Sequence, residues 1–143
     1  GFYQNLLFGP VLKMFDFSKY YDSADYLVKI PNEANVRSGI SRYYYAGFCT
    51  VRNYLVETMN ESEFVMGHNI HRRICDRLIG SQDDTEAFIG EKLSDLKELR
   101  NEADYDWRLD FNHFKESISS VQRDTKLILE QIDSLKTSPP FEL

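Results

Sequence analysis

Apolar residues recur every third or fourth position along most of this chain, the spacing of one face of an α-helix. One long stripe of this kind follows Pro31. It consists of Val36, Ile40, Tyr44, Phe48, Val51 and Leu55. Strand-like alternation of apolar and polar residues is absent from the sequence. The pattern predicts five helices: Ser18–Lys29, Glu33–Thr58, His68–Ile79, a fourth that runs to Tyr105, and Phe111–Leu135.

Polar residues, glycine and proline mark the ends of these segments. Pro31 ends the first helix, a polar stretch at Asn60–Glu63 ends the second, and Gly80 ends the third. Asp84 or Thr85 can cap the start of the fourth helix. Five amphipathic helices with short connections predict an all-α fold, an up-and-down bundle of four to five helices.

The length of 143 residues fits a single domain with one hydrophobic core. We expect the bundle to span residues 14–137, because well-patterned sequence begins directly after Met14. Residues 1–13 are either an appended extension or a native segment that packs on the domain. Residues 138–143 carry two prolines and are predicted to form a flexible tail.

Charge and cysteine usage narrow the function classes. The chain has 17 basic and 23 acidic residues, a net charge of -6, so only a local basic site can bind nucleic acid. Cys49 and Cys75 fit small core residues in a reducing cytosol, which predicts a cytoplasmic protein. No apolar run approaches the roughly 20 residues of a membrane helix, and no glycine-rich phosphate loop is present. We therefore expect neither a membrane nor a cofactor.

Arg100 interrupts the apolar face of the fourth helix. The rest of that face consists of Ile89, Leu93, Leu96 and Ala103. A guanidinium keeps its proton, and burying it unpaired is costly. Arg100 therefore either has a buried anionic partner or opens onto a cleft or an interface. Asp104, four residues on, supplies that partner through an i,i+4 ion pair. In the second alternative, Arg100 binds a phosphate in a groove.

Two motifs lie on the predicted helices: SRYYYAGF at Ser41–Phe48 and LRNEADY at Leu99–Tyr105. The second resembles the signature near the end of the penultimate core helix of the HEPN family, prokaryotic RNA-cleaving and defence-associated proteins. That signature is an arginine, a polar residue, a few spacers and a histidine. The first motif is similar to the family's second-helix motif. Since the order of helices also agrees, the resemblance covers residues 15–135.

The resemblance implies a function. HEPN protomers pair so that their motifs form one composite groove, and catalytic members cleave RNA without a metal ion. A homodimeric toxin or defence effector, acting in a toxin–antitoxin pair or against phage, is therefore implied. Arg100 would stabilise the phosphate charge, with Asn101 and Tyr105 in supporting catalytic roles. Asp104, Arg42 and Tyr44 are the further supporting candidates.

Tyr105 departs from the family pattern, because it stands where catalytic members have the histidine. A phenol titrates near pH 10, roughly, and is a poor base at neutral pH, although it can donate a hydrogen bond to phosphate. In toxin–antitoxin pairs of this family, a partner nucleotidyltransferase adenylylates a tyrosine near the motif, which makes Tyr105 a candidate for modification. In an uninterrupted helix Tyr105 lies about 140° around the axis from Arg100. The helix must then distort, or the two residues meet only across the dimer.

The missing histidine leaves a second hypothesis open. The chain is then a non-catalytic helical module that dimerises and binds a partner, such as a nucleotidyltransferase antitoxin, or an accessory subunit that binds RNA.

Other polar residues favour ordinary structural roles. His68 and His71 have a spacing that suits a metal ion, but no third ligand is evident, so we expect surface or capping histidines. Arg72, Arg73 and Arg77 predict a solvated basic edge of the third helix. Tyr43, Tyr44 and Tyr45 point in different directions, so they cannot all be core residues. We expect one or two of them at the groove or the dimer interface. Arg42 lies about 160° from Tyr44, which favours a surface or interface position.

Overall fold

The computed structural model describes residues 14–140. The predicted extension, residues 1–13, and the last three residues of the predicted tail lie outside the described range. Within that range the chain is all-helical and contains no strand. This confirms the predicted all-α fold class.

Five α-helices lie between residues 14 and 140. They are α1 (Tyr20–Val28), α2 (Glu33–Asn53), α3 (Ile70–Ile79), α4 (Asp84–Tyr105) and α5 (Phe111–Thr137). Short 3-10 turns occur at Phe17–Lys19 and Ser62–Phe64, and a π-helical turn, Tyr54–Thr58, follows α2. The predicted second helix is thus α2 together with its π-helical turn.

Side-chain caps fix where α2, α4 and α5 begin. Asn32, Asp83 and Asp110 each accept a hydrogen bond from the backbone N–H three residues on, at 2.8, 2.8 and 3.0 Å. Each cap satisfies one N–H that the helix itself leaves unpaired. The predicted cap at Asp84 or Thr85 is wrong, because Asp83 keeps an extended backbone and Asp84 is already helical.

The helix α2 forms the centre of the bundle. It packs against α1, α4 and α5, whereas α3 packs mainly on α4. The apolar stripe predicted for the second helix is buried at every position, which confirms the face chosen from its periodicity. A smaller core closes the end of the bundle where α4 meets α5, and it consists of Val36, Ile40, Ala103 and Phe114.

Arg37 of α2 fixes the corner between α4 and α5. Its guanidinium donates hydrogen bonds to the carbonyls of Glu102, Ala103 and Asp106 at 3.3, 3.2 and 3.0 Å, and to that of Leu109 at 2.9 Å. The Glu102 and Ala103 carbonyls lie in the last turn of α4, where a helix runs out of N–H partners; the Glu102 carbonyl also accepts from the Asp106 N–H at 2.9 Å. One side chain therefore caps α4 and orders the loop that follows.

A buried ion network joins α3 to α4 and to the end of α2. Arg77 donates to both carboxylate oxygens of Glu61, at 2.6 and 2.8 Å, and to Glu86 at 2.9 Å. Glu86 also accepts hydrogen bonds from Tyr54 at 2.6 Å and Ser81 at 2.7 Å. Burial alone would raise the pKa of Glu86, but these hydrogen bonds outweigh it and lower the pKa. The predicted solvated face is wrong for Arg77, because its side chain is only 18% exposed.

Gly90 sets the distance between α3 and α4, so we expect that no side chain is tolerated there. A Cβ at Gly90 would lie 2.8 Å from the Leu78 Cβ and 2.8 Å from the Ile79 backbone nitrogen. The two helices would have to separate. Gly90→Ala should therefore lower the free energy of unfolding by about 1–3 kcal/mol, measured by urea denaturation.

Gly47→Ala is the matched control. A Cβ at Gly47 would have its nearest neighbours at 3.7 and 3.8 Å, which is ordinary contact. Because alanine also favours the helix over glycine, this variant should be at least as stable as the wild type. Equal stability of the two variants would contradict the close approach of α3 and α4.

Candidate functional site

A pocket of about 470 Å³ opens between the N-terminal end of α3 and the C-terminal half of α4. Arg72, Lys97 and Arg100 line this pocket, together with His68 and His71. No described acidic residue belongs to its lining. The sign of its charge is therefore opposite to that of the whole chain, and it suits an anion.

Arg100 has partners, yet one of its donors is left over. Its side chain is 12% exposed, and Nε lies 3.5 Å from the Asp104 carboxylate, at ion-pair rather than hydrogen-bond distance. One terminal nitrogen donates to Asn101 Oδ1 at 2.6 Å and the other to the Tyr45 hydroxyl. The buried Nε has no hydrogen-bond partner among the described residues. The ion pair predicted with Asp104 is present, and Arg100 also lines a cleft; binding of a phosphate there stays a prediction.

Aromatic rings of α2 support the guanidinium of Arg100. Its Cζ lies 5.5 Å from the ring centroid of Tyr44 and 5.1 Å from that of Tyr45. Tyr44 is buried and Tyr45 is half-buried. Cation–π contacts of this kind favour the charged group without consuming its N–H donors. They hold Arg100 in place and leave donors for a ligand.

Asp104 is anchored independently of Arg100. Its carboxylate accepts a hydrogen bond from the Ser41 hydroxyl at 3.3 Å. Removal of Arg100 would therefore not leave the Asp104 carboxylate without a partner.

His71 is a site residue that the sequence analysis missed. It is half-buried, stacks on Phe48 with ring centroids 4.1 Å apart, and has its Nδ1 2.7 Å from the Tyr44 hydroxyl. Burial, then the nearby cations Arg100 and Lys97, lower the pKa of His71. Both effects favour the neutral form of the imidazole. The sequence carried a signal, because His71, Ile74 and Leu78 keep the 3-4 spacing of one helix face.

The start of α3 adds to the anion-binding character. Asn69 has a left-handed backbone, with φ of 54°, so α3 begins at Ile70 and not at His68 as predicted. The Asn69 side chain makes no capping hydrogen bond. The N–H groups of the first turn and the helix dipole therefore favour a negative charge at this end of the pocket.

The remaining predicted site residues lie around Arg100 at different depths. Asn101 is exposed and accepts from Arg100. Tyr105, the last residue of α4, is 74% exposed, and its ring centroid lies 6.0 Å from the Arg100 Cζ. The helix is unbroken up to Tyr105, yet the two residues approach each other within one chain. The prediction that they meet only through a distorted helix or across a dimer is therefore wrong. The long Arg100 side chain reaches around the helix axis to the Tyr105 ring.

Arg42 lies outside the pocket lining. Its Cζ is 4.8 Å from the Tyr20 ring centroid and 5.1 Å from the Tyr45 ring centroid. Arg42 and Arg100 both pack on the Tyr45 ring, and this shared ring is the contact that links Arg42 to Arg100.

Residues 14–140 contain no group of three or more histidine, cysteine, aspartate or glutamate side chains that could hold a metal ion. His68 and His71 accordingly have no third ligand within that range. None of the described helices is both long and apolar enough to cross a membrane.

Comparisons with known proteins identify one relative. The chain is 25% identical to the uncharacterized protein MJ0992 of Methanocaldococcus jannaschii, in an alignment that covers 89% of this chain and 80% of that protein. No family model and no solved structure matches the chain. Because that relative is uncharacterized, the similarity assigns no activity to the pocket.

The lowered pKa of His71 is directly measurable. We expect its imidazole signals to titrate below the ordinary value of about 6.5 in an NMR pH titration. Arg100→Ala should move that pKa upward, because a cation beside the ring is removed. Arg123→Ala, which removes an exposed arginine of α5, is the control and should leave the pKa of His71 unchanged.

The lowered pKa of His71 also makes the free energy of unfolding depend on pH. A histidine whose pKa is lower in the folded state favours folding while it is neutral, and this contribution is lost as the pH falls through the folded-state pKa. Replacing His71 with glutamine should therefore make the unfolding free energy less dependent on pH between about 7 and 5. A wild-type His71 that titrates above 6.5 would contradict the assignment.

Proposed function

We propose that the pocket between α3 and α4 binds a phosphate of an RNA chain, and that the protein is a HEPN-type endoribonuclease that needs no metal ion. The observation that carries the proposal is Arg100, whose two terminal nitrogens each bind one acceptor and keep a second N–H for a ligand. It lines a pocket with no described acidic residue, beside Lys97. In this view the protein acts in the cytoplasm as a toxin or a defence effector.

Phosphate chemistry suits this arrangement. Cleavage by the RNA 2′-hydroxyl gathers negative charge on the non-bridging oxygens of the phosphate, and a guanidinium placed there lowers the barrier. A planar guanidinium also matches two phosphate oxygens at once. A chain with a net charge of -6 repels RNA over most of its surface, so binding depends on this local basic pocket.

The residues around Arg100 have distinct roles in the proposal. Asn101 accepts one terminal N–H of Arg100 and so orients the guanidinium. Asp104 holds the Nε side of the group at 3.5 Å. In the proposal, the exposed phenol of Tyr105, whose ring centroid lies 6.0 Å from the Arg100 Cζ, donates a hydrogen bond to the same phosphate. Tyr44 supports Arg100 from the core.

The second candidate function is a non-catalytic module that binds a protein partner. Two exposed aromatic side chains at the end of α4 favour it, Tyr105 at 74% and Trp107 at 85% exposure. Both line a second surface pocket of about 480 Å³. Exposed tyrosine and tryptophan are enriched at protein interfaces, and Tyr105 is accessible for nucleotidylation by a nucleotidyltransferase antitoxin.

Arg100→Ala separates the two candidates. If the pocket cleaves RNA, this variant should lose activity by at least about 100-fold in a single-turnover assay with EDTA present, because the developing charge loses its main partner. Its melting temperature should fall only slightly, since Asp104 keeps the hydrogen bond from Ser41. Arg123→Ala controls for the loss of one positive charge. A large loss of stability without any change in RNA cleavage would leave the partner-binding module.

A homodimer is expected under both candidates, with the exposed Trp107 at or near its interface. Size-exclusion chromatography with light scattering should give twice the chain mass of 16.8 kDa. Trp107→Ala should shift the protein toward monomer, because a large apolar surface is lost from the interface. Tyr26→Ala, which removes an exposed aromatic residue of α1, should leave the dimer intact. A monomeric wild type would refute a composite site.

A further inference from the structure

The two ring nitrogens of His71 lie in different environments. Nδ1 is 2.7 Å from the Tyr44 hydroxyl. Nε2 makes no hydrogen bond with any described residue, and it is absent from the buried polar atoms that lack a partner. The imidazole lines the pocket, so Nε2 is the nitrogen that a ligand can reach.

The direction of the Tyr44–His71 hydrogen bond fixes the tautomer. Tyr44 is buried within α2, and burial raises the pKa of its phenol, which therefore keeps its proton. Within residues 14–140 its hydroxyl has no acceptor other than His71 Nδ1. If Nδ1 were the donor, the hydroxyl proton would be buried without a partner, which is unfavourable. Tyr44 therefore donates to Nδ1, and the proton of the neutral imidazole lies on Nε2.

The surroundings keep this imidazole neutral. Lys97 and Arg100 of α4 line the same pocket as His71, and so do Arg72 and His68 of its own helical segment. From α2 it meets Tyr44, Tyr45 and the apolar ring of Phe48. Among residues 14–140, no acidic side chain lies in the pocket lining to stabilise an imidazolium. Protonation would also require Nδ1 to give up the hydrogen bond from Tyr44.

We propose that His71 contacts the phosphate bound in this pocket as a neutral hydrogen-bond donor through Nε2, with Tyr44 as the positioning residue that fixes its tautomer. This inference rests on the proposed function, since it names a further ligand contact of the same pocket. The ligand class is a phosphate monoester or diester, whose oxygens accept from Nε2 of His71, from Lys97 and from Arg100. His71 has no free lone pair toward the pocket in this tautomer, so it does not act as the base of a cleavage reaction.

The tautomer is tested first, by a long-range ¹H–¹⁵N NMR spectrum of the imidazole at pH 7. The expected pattern is that of the neutral form with the proton on Nε2. Tyr44→Phe removes only the hydroxyl and should convert His71 to a mixture of the two neutral tautomers. A protonated ring, or the tautomer with the proton on Nδ1, in the wild type would overturn the proposal.

Phosphate binding is tested next, with inorganic phosphate and a short 2′-deoxyoligonucleotide as probes at constant ionic strength. Glutamine carries its amide N–H₂ near the position of Nε2, so His71→Gln should bind both probes nearly as well as the wild type. His71→Asn carries its amide near Nδ1 and should bind about tenfold more weakly, the loss expected for one hydrogen bond to a charged group. His113→Asn, on α5 and outside the pocket lining, is the matched control and should not change binding.

The outcomes separate this inference from the proposed function. If Arg100→Ala weakens binding of both probes and His71→Asn does not, the pocket binds phosphate and the inference about His71 is wrong. If both variants weaken binding but the wild type cleaves no RNA, the inference stands and the ribonuclease proposal fails. A wild type that binds neither probe would overturn the inference. Tighter binding of inorganic phosphate than of the oligonucleotide would assign the pocket to a terminal phosphate group, and the reverse to a chain diester.

Discussion

A guanidinium keeps its charge in the interior of a protein, so every arginine that points into this bundle must find acceptors there. Arg37, Arg77 and Arg100 do so at three junctions between helices. The first orders backbone carbonyls at the end of α4. The second, on α3, joins the carboxylate of Glu61, just before the Ser62–Phe64 turn, to that of Glu86 on α4. These two arginines direct their donors to acceptors within the protein. Arg100 differs, because its Nε is left without a hydrogen bond beside a pocket.

That difference bears on the proposed phosphate site, in which Arg100 would be both a structural and a ligand-binding residue. The ion pair with Asp104 and the tyrosine rings compensate for part of the cost of burying Arg100. The compensation is incomplete, because the buried Nε has no hydrogen-bond partner among the described residues. Rigid support comes from α2, whose aromatic side chains belong to the core of the bundle. A site supported in this way needs little rearrangement to hold its donors in position.

Periodicity predicted the helices of this fold and the buried face of α2, because each depends on neighbours within a few turns. The same local reasoning found Arg100 as an irregular position and Asp104 as its partner. It failed where the partner is distant in sequence. His71 pairs with Tyr44, 27 positions away, and Arg77 pairs with Glu61, 16 positions away. No local pattern distinguishes such arginines and histidines from residues of a solvated face, so the composition of the pocket emerged only from the packing of α3 on α4.

The Arg37 contacts also bear on the order in which the chain acquires its structure. The four carbonyls that this side chain gathers lie between 65 and 72 positions away, so they can be collected only after α2 has met the last two helices. Contacts between residues so far apart in sequence close a long loop, which costs conformational entropy, so we expect them to form late in folding. An isolated α4–α5 hairpin would lack the residue that holds its bend. Tyr105 and Trp107 therefore acquire their relative positions only once α2 packs against α4 and α5.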